Sequence, residues 1–507
     1  MTPPRLHDIF DQRLAQTPDA PLLFLPEQTF SVAALGEMID QIEIELRDDG
    51  VLPGDRILII AENCPEHIAL IMACSRISAW SCGVNARMAP AEIAGFAAKA
   101  DPRITYYTTG VSEAARDHAG RQSVRPSCLP GLRRSAVRRE AVAEPEPAAS
   151  EIAAIIFTSG TTGASKGVMV THHGLLHFAR VSAQLRRLTA ADRVYAYLPM
   201  THIFGLGTVL MSAMMVGAGL VMRSRFDPED LLDALARQGV SNLLGPPTLY
   251  GRVLAHLDKH GIDRPEAPDF RYLYTSAGPL DPDLKRAIEA RFDMPLHHGY
   301  GLSEYAGSLC ITAIESPRDD TATGHLAEGA ELRIIATDDR DAEHGERGEI
   351  WMRGPGLMRG YFRDPDATAQ VMRPGGWYAS GDIGYLGPDG ALFVVGRLKE
   401  LIIRSGFNVY PAEVEGVLNA FPAIHNSAVV GRREADGNEE VVAFVEIAPG
   451  KHLDRAALDS HLRERLAPYK RPSRIITIDT LPMTGTGKVL KRQLLERLPA
   501  PAASPAA

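Results

Sequence analysis

Residues 158–167 are Thr-Ser-Gly-Thr-Thr-Gly-Ala-Ser-Lys-Gly, and the rest of the chain is organised around this stretch. The apolar run before it, Ala-Ala-Ile-Ile-Phe at 153–157, is typical of a buried strand. Three glycines among hydroxyl side chains predict a loop that exposes backbone N–H groups, and Lys166 adds a positive charge. Such a loop suits a polyanion, most simply the phosphates of a nucleotide.

Two other interpretations of this loop are weaker. The P-loop of kinases and GTPases needs Gly, four residues, then Gly-Lys-Ser/Thr, but here the lysine stands between Ser165 and Gly167. Residues 485–488, Gly-Thr-Gly-Lys, fail the same test because Pro482 and Val489 occupy the first glycine and the hydroxyl positions. A flexible linker is disfavoured because apolar runs flank the loop on both sides.

Composition indicates a large globular protein. Its 507 residues predict more than one domain and large buried cores. The net charge of −9, from 54 basic and 63 acidic residues, disfavours nonspecific nucleic-acid binding. The five cysteines are scattered without Cys-X-X-Cys spacing, which suggests neither a zinc site nor a disulfide framework.

Two segments bear on membranes and location. Residues 1–20 lack the apolar core of a secretory signal, and with reduced cysteines this predicts a cytoplasmic protein. Residues 203–222 are twenty positions without a charge, long enough for a membrane span. Because Gly217 and Gly219 interrupt this segment, we expect a buried helix, a turn and a buried strand, and no membrane span.

Strand and helix patterns alternate through most of the chain and predict an α/β fold with a mainly parallel sheet covered on both faces. Predicted helices lie at residues 4–16, 31–49, 65–77, 89–99, 228–238, 247–257 and 281–291, and predicted strands at 56–61, 104–107, 194–198, 240–244 and 271–275. Residues 109–150, rich in Arg, Pro, Ala and Glu, predict a poorly ordered surface connection.

The last third of the chain has other patterns. From about Gly329 the helical patterns stop, and strands at 331–335, 348–353 and 391–395 predict a small antiparallel unit. Helices at 411–420, 456–466 and 489–495 with strands at 427–430 and 441–447 predict a separate α+β domain. The Pro/Ala-rich tail at 499–507 is predicted to be disordered.

Five motifs, in the same order along the chain, resemble those of the adenylate-forming acyl-CoA synthetases, the AMP-dependent synthetases and ligases. After the loop at 158–167 come Tyr-Gly-Leu-Ser-Glu at 300–304, Tyr-Ala-Ser-Gly-Asp at 378–382, Gly-Arg-Leu-Lys-Glu-Leu-Ile at 396–402 with Ser405-Gly406, and Pro-Met-Thr-Gly-Thr-Gly-Lys at 482–488. The resemblance implies a large N-terminal domain over 1–396, a hinge at 397–399 and a small mobile C-terminal domain over 400–498.

The same resemblance implies a nucleotide site. A carboxylate beside phosphates makes sense mainly with Mg²⁺ between them, so Glu304 is expected at Mg²⁺ with Thr161; alone, Glu304 would be a surface glutamate. Tyr300 offers a ring to adenine or packs in the core, and Ser303 keeps the hydroxyl of the family's usual Thr. The further ATP contacts implied are Thr158, Ser159, Gly160, Thr162, Gly163, Lys166, Ala277, Gly278, Gly299 and Gly301.

Asp382 and Arg397 match family positions that contact the ribose. Asp382 is placed to accept hydrogen bonds from a diol, and Arg397 would add charge-assisted bonds to the ribose or a phosphate. An aspartate in a glycine-rich turn is otherwise often a turn former.

Lys488 matches the family's catalytic lysine, and Lys399 matches its hinge position. A cation such as Lys488 would orient the attacking carboxylate and offset negative charge at the α-phosphate, although alone it would be an exposed lysine. Rotation at Lys399 would present Lys488 for adenylation and then the 405–406 pair for thioester formation. The candidate CoA contacts are Arg404, Gly406, Lys470 and Arg471, of which the last two fit a solvated basic patch equally well.

His202 matches a gating position near the acyl site and the pantetheine channel. The acyl pocket implied by the resemblance is small and apolar, lined by Phe204, Leu206 and residues 245–247, 276–278, 299–302 and 307–309. It contains no Lys or Arg for a second carboxylate, which favours an aromatic or medium-chain monocarboxylic acid. His297 and His298 stand where the family often has Gln or Asn, and they contact adenine, contact a ring substituent or are packed.

The sequence therefore predicts an ATP-dependent carboxylate–CoA ligase. The acid and ATP would give acyl-AMP and pyrophosphate, and CoA would then displace AMP; ATP, Mg²⁺, CoA and the acid are the expected ligands. One alternative enzyme passes the acyl group to a carrier protein, and another alternative is a catalytically idle nucleotide-binding protein. The identity of the acid, the acceptor and a possible homodimer stay open at this point.

Overall fold

The computed structural model describes residues 4–158, 165–404, 407–433, 438–483 and 489–498. The α-helices in these ranges are α1 Leu6–Gln16, α2 Val32–Asp48, α3 Pro65–Arg76, α4 Pro90–Ala100, α5 Glu113–Gly120, α6 Ala148–Glu151, α7 His172–Leu185, α8 Ser212–Val216, α9 Pro228–Arg237, α10 Pro247–His260, α11 Pro282–Phe292, α12 Pro365–Val371, α13 Pro411–Asn419, α14 Arg455–Arg465 and α15 Lys491–Glu496.

The β-strands are β1 Pro21–Phe24, β2 Thr29–Ser31, β3 Arg56–Ala61, β4 Trp80–Asn85, β5 Ile104–Tyr107, β6 Val124–Pro126, β7 Arg133–Ser135, β8 Ile152–Thr158, β9 Lys166–Thr171, β10 Arg193–Ala196, β11 Gly219–Met222, β12 Asn242–Gly245, β13 Tyr272–Thr275, β14 Leu296–Leu302, β15 Gly307–Ile311, β16 His325–Leu326, β17 Glu331–Ile335, β18 Gly348–Arg353, β19 Met372–Arg373, β20 Trp377–Leu386, β21 Leu392–Arg397, β22 Ile402–Arg404, β23 Phe407–Val409, β24 Ile424–Arg433, β25 Glu439–Ile447 and β26 Arg474–Thr477.

Two large sheets form the centre of the N-terminal domain. One has the order β6-β7-β5-β3-β4-β8-β9 and the other the order β16-β15-β14-β13-β12-β10-β11-β1-β2. Their central strands are parallel, while β9 and β15 add antiparallel partners beside the site described below. Every residue of β3 is buried, as expected for a parallel strand covered on both faces. The predicted α/β class is confirmed.

The first strand of the chain lies inside the second sheet. Strand β1 pairs in parallel with β11, with Leu23 opposite Leu220, and antiparallel with β2. Apart from β1 and β2, all strands of that sheet begin at residue 193 or later. The start of the chain is thus held by strands that follow it by about two hundred positions along the sequence.

The last third contains the predicted antiparallel unit and the predicted α+β domain. Strands β17, β18, β20, β19 and β21 form an antiparallel sheet, and β24, β25 and β26 form the sheet of the C-terminal domain with α13, α14 and α15. The prediction that helices stop at Gly329 is wrong at α12. Asp364 caps this helix by accepting a hydrogen bond from the Ala367 N–H, ahead of a proline at the first helical position.

The prediction of a poorly ordered segment at 109–150 is also wrong. This segment contains α5 and the pair β6–β7, and β7 extends the first sheet by pairing with β5. Arg134 of β7 forms ion pairs with Glu45 and Asp49 of the α2 region, and Leu132 is buried. Contacts with distant residues therefore order a stretch whose own composition lacks periodicity.

The uncharged stretch at 203–222 has the predicted order of helix, turn and strand. It begins with a π-helix, Phe204–Met211, which continues as α8 and ends at Gly217 with φ of 73°, before β11. A glycine accommodates this left-handed turn without strain. Among the described residues, no helix has both the length and the apolarity needed to cross a bilayer.

Candidate active site

Two antiparallel strands hold the ends of the predicted phosphate loop. Strands β8 and β9 pair along their length, and Thr158 lies opposite Lys166 at the last position before the loop. Lys99 donates a hydrogen bond from Nζ to the Ser165 carbonyl at 2.9 Å, which fixes one end of the connection. The predicted contacts Ser159, Gly160, Thr161, Thr162 and Gly163 lie outside the described residues.

Lys166 contacts an aromatic ring that the sequence analysis did not identify. Its Nζ lies 4.4 Å from the centre of the Tyr361 ring, a cation–π distance. The segment around Tyr361 runs along β9, where the Phe362 N–H donates to the Gly167 carbonyl at 2.7 Å. Since Tyr361 belongs to none of the five motifs, only the Gly-Tyr-Phe sequence at 360–362 offered a weak local signal.

Glu304 lies on a short 3₁₀ turn, Ser303–Tyr305, between β14 and β15. The Tyr361 hydroxyl donates a hydrogen bond to Glu304 Oε1 at 3.0 Å. Burial raises the pKa of the Glu304 carboxyl, and the Tyr361 hydrogen bond opposes that shift. A carboxylate in this setting would be stabilised by a cation at its other oxygen.

The surroundings of Glu304 fit a Mg²⁺ ion that is shared with phosphates. Among the described residues, no group of three or more His, Cys, Asp or Glu side chains is placed to hold a metal. Mg²⁺ typically takes one or two carboxylates and completes its shell with water and substrate phosphates. A single half-buried carboxylate beside β9 satisfies that requirement.

The predicted ribose contacts lie together. Asp382 and Arg397 face each other across β20 and β21, and Arg397 Nε lies 2.9 Å from Asp382 Oδ1. The Tyr300 hydroxyl donates to Asp382 Oδ2 at 2.6 Å. The Asp382 charge raises the pKa of Arg397, and both burial and Asp382 raise that of Tyr300. We call Tyr300, Asp382 and Arg397 the carboxylate clamp; it fixes both oxygens of one aspartate.

The glycines of β14 sit where side chains would collide. A Cβ at Gly301 would lie 2.2 Å from the Gly307 carbonyl oxygen, and one at Gly299 would lie 2.0 Å from the Tyr274 hydroxyl. Ser276 ties the neighbouring turn to this strand by donating to the Gly299 carbonyl at 2.8 Å. Ala277 and Gly278 follow in that turn, with Ala277 in the left-handed region at φ of 67°. These predicted positions therefore lie together where β13 ends beside β14.

His202 borders a narrow apolar cavity. The cavity is lined by Leu198, Pro199, His202, Phe204, Gly205, Pro246 and Ala277 and has a volume of about 10 Å³. His202 Nδ1 accepts a hydrogen bond from the Phe204 N–H at 3.2 Å, which orients the imidazole. The cavity lies between Phe204 of the predicted acyl pocket and Ala277. Because its volume is smaller than an aromatic ring, side chains must move aside for an acid with a ring to bind.

His297 and His298 are packed and neutral. The His297 ring stacks on Tyr272 with 4.8 Å between ring centres, and His298 Nδ1 lies 3.0 Å from the Thr321 carbonyl oxygen. Burial lowers the pKa of each histidine to about 4. Neither imidazole therefore offers a positive charge to a substrate at neutral pH.

The candidate CoA residues that the structure describes are engaged within the C-terminal domain. Arg404 donates to the Tyr469 and Arg471 carbonyls, at 3.4 and 2.7 Å. Lys470 pairs with Glu413, and Arg471 Nε donates to the Leu466 carbonyl at 2.8 Å. Lys399 is exposed on the 3₁₀ turn Leu398–Glu400. Gly406 and Lys488 lie outside the described residues, so their roles stay predictions.

Comparison with known families gives two matches that together cover most of the chain. A model of the AMP-binding enzyme family matches residues 10–362. A model of the AMP-binding enzyme C-terminal domain matches residues 413–488. The first match contains the phosphate loop and Glu304, and the second contains the position of Lys488.

Comparison with curated proteins gives similar enzymes of comparable length. The chain is 30% identical over 493 residues to the feruloyl-CoA synthase of an Amycolatopsis species, covering 96% of this chain and 97% of that enzyme. It is 29% identical over 520 residues to 4-coumarate–CoA ligase 1 of Solanum tuberosum, covering 98% and 94%. With indoleacetate–CoA ligase of Aromatoleum aromaticum it shares 30% identity over 510 residues, covering 97% and 98%.

Solved structures share the fold over the same extent. ATP-bound MatB from Rhodopseudomonas palustris superposes with a TM-score of 0.83 at 28% identity, covering 97% of this chain and 98% of that one. O-succinylbenzoate coenzyme A synthetase from Bacillus subtilis, in complex with ATP and a magnesium ion, gives a TM-score of 0.81 at 26% identity, covering 96% and 98%.

Proposed function

Because this chain belongs to the AMP-binding enzyme family and is an AMP-forming acid–thiol ligase, we propose that it activates an aromatic or medium-chain monocarboxylic acid with the residues described above. The ligase uses ATP, Mg²⁺ and CoA. The carboxylate attacks the α-phosphate of ATP to give acyl-AMP and pyrophosphate, and the CoA thiol then displaces AMP.

The carboxylate clamp is the observation that carries the residue assignment. Asp382 is held by Tyr300 and Arg397 at 2.6 and 2.9 Å, so its oxygens are oriented before any ligand binds. We propose that Asp382 accepts hydrogen bonds from the ribose diol and that Arg397 balances its charge. Preorganised charge-assisted hydrogen bonds of this kind lose little to reorganisation on binding.

In this proposal the loop and Lys166 bind the phosphates directly, and Glu304 acts on them through Mg²⁺. Lys166 would contact the phosphate chain, and Glu304 with Thr161 would hold Mg²⁺, which offsets phosphate charge when bound. Lys488 would orient the attacking carboxylate and balance the charge that develops at the α-phosphate. No base is required, because a carboxylate and a thiol are already reactive partners.

The class of acid follows from the cavity beside His202. Its lining carries apolar side chains and one imidazole, and the nearby His297 and His298 are neutral. A second carboxylate on the substrate would be buried there without a cation, at a cost of several kcal/mol. We therefore propose a single-carboxylate acid with an apolar body.

The test is pyrophosphate and AMP release from ATP over a panel of benzoates, cinnamates, C2 to C16 fatty acids and dicarboxylates, with and without CoA. A monocarboxylate should give AMP only with CoA present, and mass spectrometry should show its acyl-CoA. A preferred dicarboxylate would contradict the proposed pocket. Pyrophosphate exchange that CoA does not convert to AMP would instead indicate a carrier-protein acceptor.

We further propose the domain limits 1–396 and 400–498 around a hinge at 397–399, a cytoplasmic location and a homodimer. Lys399 is exposed on the turn that follows β21, which suits a pivot. Sedimentation velocity tests the dimer. Limited proteolysis with and without an acyl-adenylate analogue tests the hinge, because rotation there should change cleavage near residue 399.

A further inference from the structure

Tyr361 contacts two opposite charges of the nucleotide site at once. Its ring lies under Lys166 Nζ at 4.4 Å, and its hydroxyl donates to Glu304 Oε1 at 3.0 Å. The Tyr361 side chain is almost fully buried. A buried tyrosine with a cation on its face and an anion at its hydroxyl is more than core filling.

The backbone fixes this tyrosine from two sides. Val168 of β9 and Tyr361 form an antiparallel bridge, so β9 fixes the backbone position of Tyr361. The Tyr361 N–H donates to Thr368 Oγ1 at 2.9 Å, and Thr368 Oγ1 donates to the Asp364 carbonyl at 2.9 Å in the first turn of α12. The ring therefore has little freedom to follow either charged partner.

This arrangement keeps the two charges apart. Both side chains are described, and Lys166 and Glu304 form no ion pair with each other. A direct pair would neutralise the carboxylate that a metal needs and the ammonium that a phosphate needs. With Tyr361 in place, each charge has a weaker partner that a stronger ligand can replace or share.

We propose that Tyr361 is a positioning residue of the ATP site, whose hydroxyl orients Glu304 toward Mg²⁺ and whose ring holds Lys166 for the phosphates. The inference rests on the proposed roles of Glu304 and Lys166. It adds a residue outside the sequence motifs, and it explains why a chain segment from beyond residue 358 runs along β9.

The experiment compares Tyr361→Phe with Tyr305→Phe. Tyr305 is also buried, and its hydroxyl lies 3.5 Å from the Arg353 carbonyl oxygen, so this variant loses a hydroxyl next to Glu304 in sequence without touching the carboxylate. Calorimetry measures ATP binding in excess Mg²⁺ and in EDTA. Steady-state kinetics give KM for the acid, and melting temperature reports stability.

Tyr361→Phe should weaken Mg²⁺-dependent ATP binding by about 10- to 100-fold, the usual effect of removing a partner of a metal ligand. Binding in EDTA and KM for the acid should stay within about twofold, because the ring and its contact with Lys166 remain. Tyr361→Leu should also weaken binding in EDTA, since it removes the cation–π contact. Tyr305→Phe should leave the ratio of the ATP affinities in Mg²⁺ and in EDTA unchanged.

Glu304→Gln separates the inference from the proposed function. If Glu304→Gln abolishes the Mg²⁺ effect on ATP binding and Tyr361→Phe leaves it intact, the role of Tyr361 is refuted and that of Glu304 stands. If Glu304→Gln leaves the Mg²⁺ effect on ATP binding intact, the proposed metal role of Glu304 is refuted, and the role of Tyr361 that rests on it is refuted as well. If Tyr361→Phe lowers the ATP affinity equally in Mg²⁺ and in EDTA and also lowers the melting temperature, Tyr361 has only a structural role.

Discussion

The two acidic side chains of the proposed nucleotide site have different partners, and this difference suits them to different ligands. Asp382 has a guanidinium and a hydroxyl on its two oxygens, whereas Glu304 accepts from the Tyr361 hydroxyl. A carboxylate already paired with arginine gains little from a metal, so Asp382 suits neutral hydroxyl donors. Glu304 is half-buried, its pKa is raised by desolvation, and it suits a cation.

Asp382→Asn should raise KM for ATP by about tenfold or more, because a charge-assisted hydrogen bond contributes roughly 1.5–3 kcal/mol. KM for the acid should change by less than about twofold, since Asp382 is proposed to contact the ribose and not the acid. Steady-state kinetics with each substrate varied in turn measure both values.

Asp389→Asn is the matched control. Asp389 lies in the turn between β20 and β21 and pairs with Arg318 at the surface. This variant should leave both KM values unchanged. A similar rise in KM for ATP in both variants would mean that loss of negative charge in the small sheet, and not the clamp, is responsible.

Among the secondary-structure units, the last helix depends on a small group of charges. Lys491 is the first residue of α15, and its Nζ lies 2.9 Å from Glu400 Oε2 and 2.8 Å from Glu415 Oε1. A lysine at a helix N-terminus is opposed by the helix dipole. The two carboxylates offset that cost and raise the pKa of Lys491 against burial. They tie α15 to α13 and to the turn after β21.

Lys491→Met should destabilise the C-terminal domain by about 1–3 kcal/mol, because two carboxylates then face each other without a cation. Hydrogen exchange of the amides in α15 and β24 measures the change. Lys491→Arg should retain most of the protection, since the charge is kept. Unchanged exchange in Lys491→Met would show that solvent screens this group.

Across the whole molecule, burial makes several histidines sensitive to acid. Burial lowers the pKa to about 4 in His67, His297 and His298, and to about 3 in His172. In the unfolded chain these groups take up protons near pH 6.5. Because the unfolded state then binds more protons, the free energy of unfolding falls as the pH drops from about 6.5 toward 4.

The melting temperature should therefore decline between pH 6.5 and 4.5, and His67→Gln should flatten part of that decline. Each histidine contributes a slope of about 1.4 kcal/mol per pH unit in this window. Asp192, whose pKa is lowered to about 2 beside Arg271 and Ser241, loses its contribution only below about pH 4. A melting temperature that stays constant down to pH 4.5 would contradict the prediction.

Local patterns in the sequence predicted most elements, because a buried strand or an amphipathic helix leaves its period in a short window. Helix α3 and strand β5 lie within a residue of their predicted limits. The segment at 109–150 could not be predicted in this way. Its order depends on pairing of β7 with β5 and of Arg134 with Glu45, contacts that no short window contains.

The candidate site divides along the same line. Asp382, Arg397 and Tyr300 belong to motifs, and the structure places them in contact with one another. Their roles toward the nucleotide stay predictions. Tyr361 stands 57 positions from Glu304 in the chain, and only folding reveals that contact. Thr161 and Lys488 stay predictions from resemblance, since they lie outside the described residues.

The pairing of β1 with β11 delays completion of the second sheet during synthesis. Its parallel partner β11, Gly219–Met222, is translated long after it, and a ribosome adding about 5–20 residues per second needs on the order of 10–40 s for the interval. During that time β1 can pair with β2 only, and its apolar side chains, including Leu22 and Leu23, lack the parallel strand that later helps to bury them. We therefore expect the apolar side chains of β1 to stay exposed on the nascent chain until β11 has been made, and slow codons upstream of β11 to lengthen that interval.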